Sequence, residues 1–180
     1  MNKFSVFPAL AAAAVLCISL ASCSSTGGES FKAPNDRLIV PGERIGPVAL
    51  GMSEEALFRL GIPGSTKPFF GKFTLYHYSG MKVFVDQNSR KVACIIVHGD
   101  ASYRFANGVK VGSTLRDIQA AMGPAGSIMG NMAFGDAPWL VKYQSGNLTF
   151  DFGREGGSMA DRPRDTVQGI GIQTSGTELL

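Results

Sequence analysis

The sequence feature that most constrains the fold is an internal repeat. The segment VALGMSEEALFRLGIP at 48–63 is echoed by VKVGSTLRDIQAAMGP at 109–124. In both, a short apolar segment ends in a glycine, a hydroxyl residue follows two positions later, and apolar residues with helical spacing lead to a second glycine and a proline. Self-similarity of this kind is the signature of a repeated structural unit.

Two further pairs of segments match in the same order. YSGMKVFVD at 78–86 resembles QSGNLTFDF at 144–152, and KVACIIV at 91–97 resembles TVQGIGI at 166–172. Three matched blocks in one order indicate a tandem duplication. The chain is therefore expected to contain two related modules, at 41–100 and 101–174, followed by a short tail at 175–180.

Each copy begins with a short helical pattern and continues with strands. The predicted strands are Phe73–Tyr78, Met81–Asp86 and Lys91–His98 in the first copy, and Trp139–Tyr143, Leu148–Phe152 and Thr166–Gln173 in the second. Their short connections favour antiparallel hairpins, because parallel strands need a much longer crossover. The predicted fold class is α+β: two tandem modules, each a short helical segment packed on a three-stranded antiparallel sheet.

The first 22 residues have the features of a bacterial signal peptide: a lysine near the start and an apolar stretch that ends in small residues. The closing tetrad Leu20-Ala21-Ser22-Cys23 resembles the lipobox, whose cysteine is lipid-modified and becomes N-terminal. Residues 1–22 are thus predicted to be removed, and residues 23–40 to form a lipidated cysteine and a flexible tether. The alternative is a secretory signal with an incidental cysteine.

The residue after the predicted lipid attachment point is Ser24. The resemblance to bacterial lipoproteins implies that a protein with this residue after the cysteine is carried to the outer membrane. Its folded part then faces the periplasm, or less often the cell surface. Acyl chains attach a protein to a membrane without a spanning helix. No other apolar stretch of the sequence is long enough for a second crossing.

The charge balance and the cysteines narrow the classes of partner. The chain has 17 basic and 14 acidic residues; loss of residues 1–22 removes only Lys3 and leaves 16 against 14, or +2. This near-neutral balance gives no electrostatic footprint for nucleic acid. Of the three cysteines, Cys17 leaves with the signal and Cys23 is acylated, so Cys94 has no intramolecular disulfide partner.

The repeated motif resembles the module of the SmpA/OmlA outer-membrane assembly lipoproteins, which also recurs in tandem in the β-lactamase inhibitory proteins. The matching residues are Val48, Leu50, Gly51, Met52, Ser53, Leu57, Leu60, Gly61 and Pro63 in the first copy, and Val109, Val111, Gly112, Thr114, Ile118, Met122, Gly123 and Pro124 in the second. The resemblance implies a helix pair on a three-stranded antiparallel sheet and a role in binding proteins. The lipoproteins have one module and the inhibitors have disulfides, so neither family's partner is carried over.

The paired acids Glu54 and Glu55 could belong to an active site or to a helix start. Ser53 precedes them as a favourable N-cap, and negative charge stabilises the first turn of a helix. The second copy keeps a cap at Thr114 and an acid at Asp117, as in a capping box, but it lacks the pair. We interpret the acids as helix-start residues.

The two histidines, His77 and His98, supply too few ligands for a closed zinc site. No serine or cysteine stands in a recognisable nucleophile motif. We therefore predict no catalytic residue, no metal and no cofactor. A small hydrolase that uses His98 and Asp100 is the remote alternative.

Aromatic and apolar residues form the candidate interface. The segment KPFFGKFTLYHY at 67–78 brings several aromatic residues together, and the first copy has bulky residues on the sheet face away from its helix. Such residues either pack against neighbouring structure or bind a partner. The candidate interface residues are Phe69, Phe70, Phe73, Phe84, Ile96, His98, Phe134 and Trp139.

Together these features predict a non-catalytic, outer-membrane-anchored lipoprotein. Its expected partners are the membrane, through the N-terminal lipid, and another envelope protein, with no nucleic acid and no small-molecule cofactor. It would serve as a protein-binding or envelope-assembly accessory module. The alternative is an inhibitor of a periplasmic or secreted enzyme, with loops 64–74 and 127–139 entering the target's cleft.

Overall fold

The secondary structure is dominated by strands. The computed structural model describes residues 36–61, 63–100, 102–130, 138–143, 147–153 and 164–177. The helices in these residues are α1 (Glu54–Arg59) and α2 (Leu115–Met122), and the strands are β1 (Ile39–Val40), β2 (Arg44–Ile45), β3 (Val48–Ala49), β4 (Ser65–Phe69), β5 (Phe73–Tyr78), β6 (Met81–Asp86), β7 (Lys91–His98), β8 (Ser127–Gly130), β9 (Pro138–Tyr143), β10 (Leu148–Asp151) and β11 (Gly169–Gln173). No helix among the described residues is long and apolar enough to cross a membrane.

Eight of these strands form one continuous antiparallel sheet, in the order β4-β5-β6-β7-β11-β10-β9-β8. The predicted fold class, α+β with two tandem modules that each pack a short helical segment on a three-stranded antiparallel sheet, is therefore wrong. The last strands of the two halves, β7 and β11, pair with each other. If each half formed its own sheet, each sheet would have two open edges. The β7–β11 pairing covers one open edge of each half.

The register of the central pair is symmetric. Ile95 and Val97 correspond to Ile170 and Ile172 in the repeat alignment, and the observed pairs are Ile95 with Ile172 and Val97 with Ile170. Ile95 thus lies opposite the counterpart of Val97, and Val97 lies opposite the counterpart of Ile95. Matched parts of the sequence occupy equivalent places on the two sides of the central pair.

The two outermost strands, β4 and β8, lie in the segments 64–74 and 127–139, which the sequence predicts to be loops. Strand β4 reads STKPF, and its first four residues are exposed. It therefore lacks the alternation of apolar and polar residues that identifies a half-buried strand. Proline is tolerated in sheets only at such edges, because it cannot donate to the hydrogen-bond ladder.

The helix starts agree with the predicted caps. Ser53 accepts a hydrogen bond from the Ala56 N–H at 3.2 Å. Thr114 and Asp117 form a reciprocal capping box, with N···O distances of 3.2 and 2.8 Å. The glycine before each cap donates a hydrogen bond to the half of the sheet that follows its helix, Gly51 to the Val92 carbonyl in β7 and Gly112 to the Val167 carbonyl just before β11, both at 2.8 Å.

The main core lies on the helix-bearing side of the large sheet. Leu57 of α1 and Ile118 of α2 are buried there, together with the inward residues of the central strands, among them Val83, Ile95, Phe150, Ile170 and Ile172. A second, smaller cluster lies on the opposite face and contains Phe73, Leu75, Phe84, Ala93 and Cys94. Both faces of the first half of the sheet are therefore apolar.

Strands β1, β2 and β3 form a small separate antiparallel sheet. Ile39 and Val40, the last two residues of the predicted tether, form β1. The turn between β2 and β3 contains Gly46 with φ +54°. A Cβ at Gly46 would lie 2.8 Å from the Asp36 carbonyl oxygen and 2.9 Å from Tyr103 Cε1, so only glycine fits this turn.

We expect Gly46→Ala to destabilise the fold more than Gly108→Ala. Both glycines have a positive φ, but a Cβ at Gly108 would have no atom within 4 Å. Gly108→Ala should therefore cost about 1 kcal/mol from backbone strain alone. Gly46→Ala should cost ~1–3 kcal/mol more, because the backbone must move to accept the methyl group. Urea unfolding monitored by circular dichroism measures both, and equal losses would contradict the steric explanation.

Candidate functional site

The connection between β4 and β5 projects a phenylalanine into solvent. The side chain of Phe70 is 85% exposed, the largest exposure among the exposed large apolar residues of the described chain. Phe70 has φ +47° and Gly71 has φ +63°. Phe69 pairs with Phe73, so the connection has three residues, and two of them adopt the left-handed conformation that glycine and asparagine take most easily. A bulky aromatic residue in this conformation is an outlier.

Edge-on contacts between aromatic rings hold this turn in place. The Phe69 ring lies edge-on to Phe70 at a centroid distance of 4.5 Å and to Phe84 at 5.0 Å. Phe84 is itself buried in the smaller apolar cluster. Phe69 therefore connects the exposed Phe70 to the body of the sheet. We call residues 69–72 the Phe70 tip.

The surroundings of the Phe70 tip are basic. Lys67 on β4 and Lys72 in the turn are both exposed, and the Lys72 ammonium lies 5.3 Å from the centroid of the Phe73 ring. Asp86 is the nearby acid: hydrogen bonds from Ser89 lower the pKa of its carboxyl, and the Lys72 charge contributes in the same direction. The tip thus presents an aromatic ring with lysines beside it.

The other candidate interface residues are placed differently. Phe73 and Phe84 are only 6% and 5% exposed, and Ile96 packs partly buried against them. Cys94 in the same cluster is fully buried, and burial raises the pKa of its thiol. Phe134 and the side chain of Trp139 lie outside the described residues.

His98, at the end of β7, lies over a glycine of the neighbouring strand. A Cβ at Gly169 would lie 2.7 Å from His98 Nδ1, so the imidazole occupies the space above this residue. Burial lowers the pKa of His98, the Lys82 charge lowers it further, and Asp151 opposes both. The neutral imidazole is therefore favoured.

Asp100, the acid of the hydrolase alternative, contacts Ser102 and Arg37. The Asp100 carboxylate accepts a hydrogen bond from the Ser102 N–H at 2.9 Å and lies 4.0 Å from Arg37. No hydrogen bond or ion pair in the described part of the chain joins Asp100 to His98. Among the same residues, no group of three or more His, Cys, Asp or Glu side chains is placed to hold a metal ion.

The two acids of the repeat motif, Glu54 and Glu55, differ in exposure and in their partners. Glu55 is exposed and pairs with Arg59 one turn along the helix at 2.5 Å, whereas the Glu54 side chain is only 5% exposed. Glu54 accepts a short hydrogen bond from the Tyr76 hydroxyl and pairs with Arg90 in the β6–β7 turn. Glu54 therefore connects the start of α1 to strand β5 and to the β6–β7 turn, and the helix-start interpretation does not include these contacts.

The comparisons with known proteins find only distant structural likeness. No protein-family model and no curated protein matches the sequence. Solved structures that align with it include a cysteine-rich secretory protein from Staphylococcus aureus (13% identity, 75% of this chain and 46% of that one, TM-score 0.45) and a DUF4309 family protein from Bacillus subtilis (15%, 74% and 88%, TM-score 0.43). An extracellular protein with an SCP domain from Bacillus anthracis aligns at 12% identity, over 70% of this chain and 44% of that one, with a TM-score of 0.43. The chain spans about half the length of the first and third.

The contact between Glu54 and Tyr76 predicts a decline of stability at alkaline pH. Burial, and then the Glu54 carboxylate, raise the pKa of Tyr76 from 10.0 to about 12. The folded chain holds this proton more tightly than the unfolded chain, so the stabilisation is complete below about pH 10 and is lost as the pH rises through about 12. Urea unfolding between pH 8 and pH 12 measures this decline.

Tyr76→Phe is the matching variant. It should lower the free energy of unfolding by ~1–3 kcal/mol at neutral pH, because the buried Glu54 loses a hydrogen-bond donor. The free energy of unfolding of this variant should also fall less steeply between pH 8 and pH 12. A variant that loses stability with pH as steeply as the wild type would show that another group is responsible.

Proposed function

We propose that this chain is a non-catalytic protein-binding module of the bacterial envelope and that the Phe70 tip is its anchor. The supporting observation is that Phe70 combines 85% exposure with a left-handed backbone. For an L-residue this conformation costs ~1–2 kcal/mol. Neither the exposure nor the backbone conformation helps the fold, and strained residues cluster at functional sites.

The tip is suited to binding because its geometry is fixed before a partner arrives. Phe69 packs against both Phe70 and the buried Phe84, so little side-chain entropy remains to be lost on association. Large aromatic residues that enter a pocket on the partner dominate many interfaces. The exposed Lys67 and Lys72 favour a partner whose apolar pocket has an acidic rim.

A second candidate function follows from the shape of the anchor. A narrow hairpin tip with one projecting ring fits a cleft better than a flat surface, and enzyme active sites are clefts. The chain would then be an inhibitor of a periplasmic or secreted enzyme. The two functions differ in one measurable property, which is whether the captured protein loses activity.

We place this function at the outer membrane, with the folded part in the periplasm. The support is the sequence: a signal-like segment, the tetrad that ends in Cys23, and Ser24 after it. Acyl chains on Cys23 would hold the module at the membrane surface. The resemblance of the repeat motif to outer-membrane assembly lipoproteins points to the same compartment.

Phe70→Asn separates binding from folding. Asparagine tolerates the left-handed conformation better than other residues with a side chain. The relief of backbone strain offsets the lost contact with Phe69, so we expect the free energy of unfolding to stay within about 1 kcal/mol of the wild type. Capture of the partner in crosslinked pull-downs from the native envelope should fall at least about tenfold.

The control is Phe58→Ala, which removes a second exposed aromatic side chain, 44% exposed, from α1. Capture should be retained in this variant. If Phe70→Asn captures the same proteins in the same amounts as the wild type, the tip is not the anchor. If both variants lose capture equally, general surface hydrophobicity rather than the tip is responsible.

Cys23→Ser tests the membrane attachment. Metabolic labelling with palmitate should mark the wild-type protein and leave the variant unlabelled. The variant should also be released from the membrane fraction, since no other lipid attachment residue is predicted. Labelling that persists in Cys23→Ser would contradict the assignment of the lipid to this residue.

A further inference from the structure

A cavity of about 450 Å³ opens between the start of the fold, the end of α2 and the β9–β10 pair. Its size lies in the range of small-molecule sites. The buried part of its wall consists of Ile39, Phe105, Tyr143 and Leu148, and the more exposed part consists of Leu38, Val40, Pro41, Ala106, Asn107 and Met122. It lies on the helix-bearing side of the sheet and shares no residue with the Phe70 tip.

The chemistry of the wall selects an uncharged, apolar ligand. None of the ten described residues that line the cavity is charged. The Tyr143 hydroxyl donates to the Gly123 carbonyl at 2.9 Å, and the Asn107 amide donates to the Ala121 carbonyl at 3.3 Å. Both polar side chains are thus already bonded to the backbone, and recognition inside the cavity rests on apolar contact.

The cavity is held open by contacts that do not depend on a ligand. The Ile39 N–H donates to the Arg104 carbonyl and the Phe105 N–H to the Val109 carbonyl, both at 2.8 Å. Phe150 lies behind the wall, 5.8 Å from the Phe105 ring and 5.7 Å from the Tyr143 ring. An open apolar cleft of this size with a preformed wall is suited to an apolar ligand.

We propose that this cavity binds a single hydrocarbon chain of the acyl type. Leu38, in the cavity wall, lies 15 residues after Cys23 in the sequence. Fifteen extended residues span about 50 Å, so an acyl chain on Cys23 can reach the cavity. A free envelope lipid supplies the same chemistry. The cavity itself does not depend on the proposed lipidation or on the Phe70 tip.

The test uses the full chain carrying Cys23→Ser and the neutral fluorescent probe 1-N-phenylnaphthylamine. We expect saturable binding at one site and displacement by dodecanol, an uncharged single chain. Ala106→Trp, at the rim, should weaken binding at least about tenfold. Ala120→Trp, on the exposed side of α2 and outside the cavity wall, is the matched control and should bind like its parent.

Two outcomes would overturn the proposal: no saturable binding by the Cys23→Ser chain, or equal binding by the Ala106→Trp and Ala120→Trp variants. Circular dichroism establishes that each variant folds. If Ala106→Trp does not fold, Met122→Lys places a charge at the same rim and should reduce binding in the same way. Protein capture through the Phe70 tip should be unchanged in all of these variants, so failure of one proposal leaves the other testable.

A photoreactive p-benzoylphenylalanine in place of Leu38, a larger residue in the more exposed part of the wall, identifies the source of the chain in the intact envelope. Mass spectrometry of a crosslink to the acylated Cys23 peptide would show that the protein's own lipid occupies the cavity. A crosslink to phospholipid would assign the site to free lipid. Crosslinks to neither would contradict the acyl-chain assignment.

Discussion

The pairing of β7 with β11 is the interaction on which the rest of the structure depends. It joins the two halves through five residue pairs and brings Ile95, Val97, Ile170 and Ile172 into one buried row. Each half alone would expose the edge of its last strand and the apolar side chains along it. Pairing satisfies the backbone groups of both edges and buries both rows at once, so the two effects reinforce each other.

The helices depend on this sheet more than the sheet depends on them. Helix α1 has six residues and α2 has eight, lengths at which an isolated helix is unstable in water. Their starts are held by hydrogen bonds from Gly51 to Val92 in β7 and from Gly112 to Val167 just before β11. Their stability comes from burying Leu57 and Ile118 on the sheet. The Glu54 contacts with Tyr76 and Arg90 add a polar connection in the first half only, because the repeat alignment places Leu115 at the matching position of the second half.

Local features of the fold were predictable from the sequence, and long-range ones were not. Strands β5, β6 and β7 have the predicted bounds, because apolar alternation and short turns determine them. The caps at Ser53 and Thr114 follow from neighbouring residues. The β7–β11 pairing joins segments about 75 positions apart, and nothing in either strand identifies its partner. Nor does the sequence reveal that Glu54 is buried, since its partners Tyr76 and Arg90 are distant in the chain.

The neighbouring residues Phe69 and Phe70 show how the candidate site departs from the rest of the molecule. Sequence alone gives both the same weight as interface candidates, because it cannot tell which ring points into the cluster. In the structure, Phe69 packs against Phe84 and helps the fold, while Phe70 takes a conformation that glycine or asparagine adopts more easily. Local preference and global fold agree at the caps, hairpins and core strands. Their disagreement at Phe70, where the only compensating contact is the edge contact with Phe69, is the physical reason for proposing a function at this position.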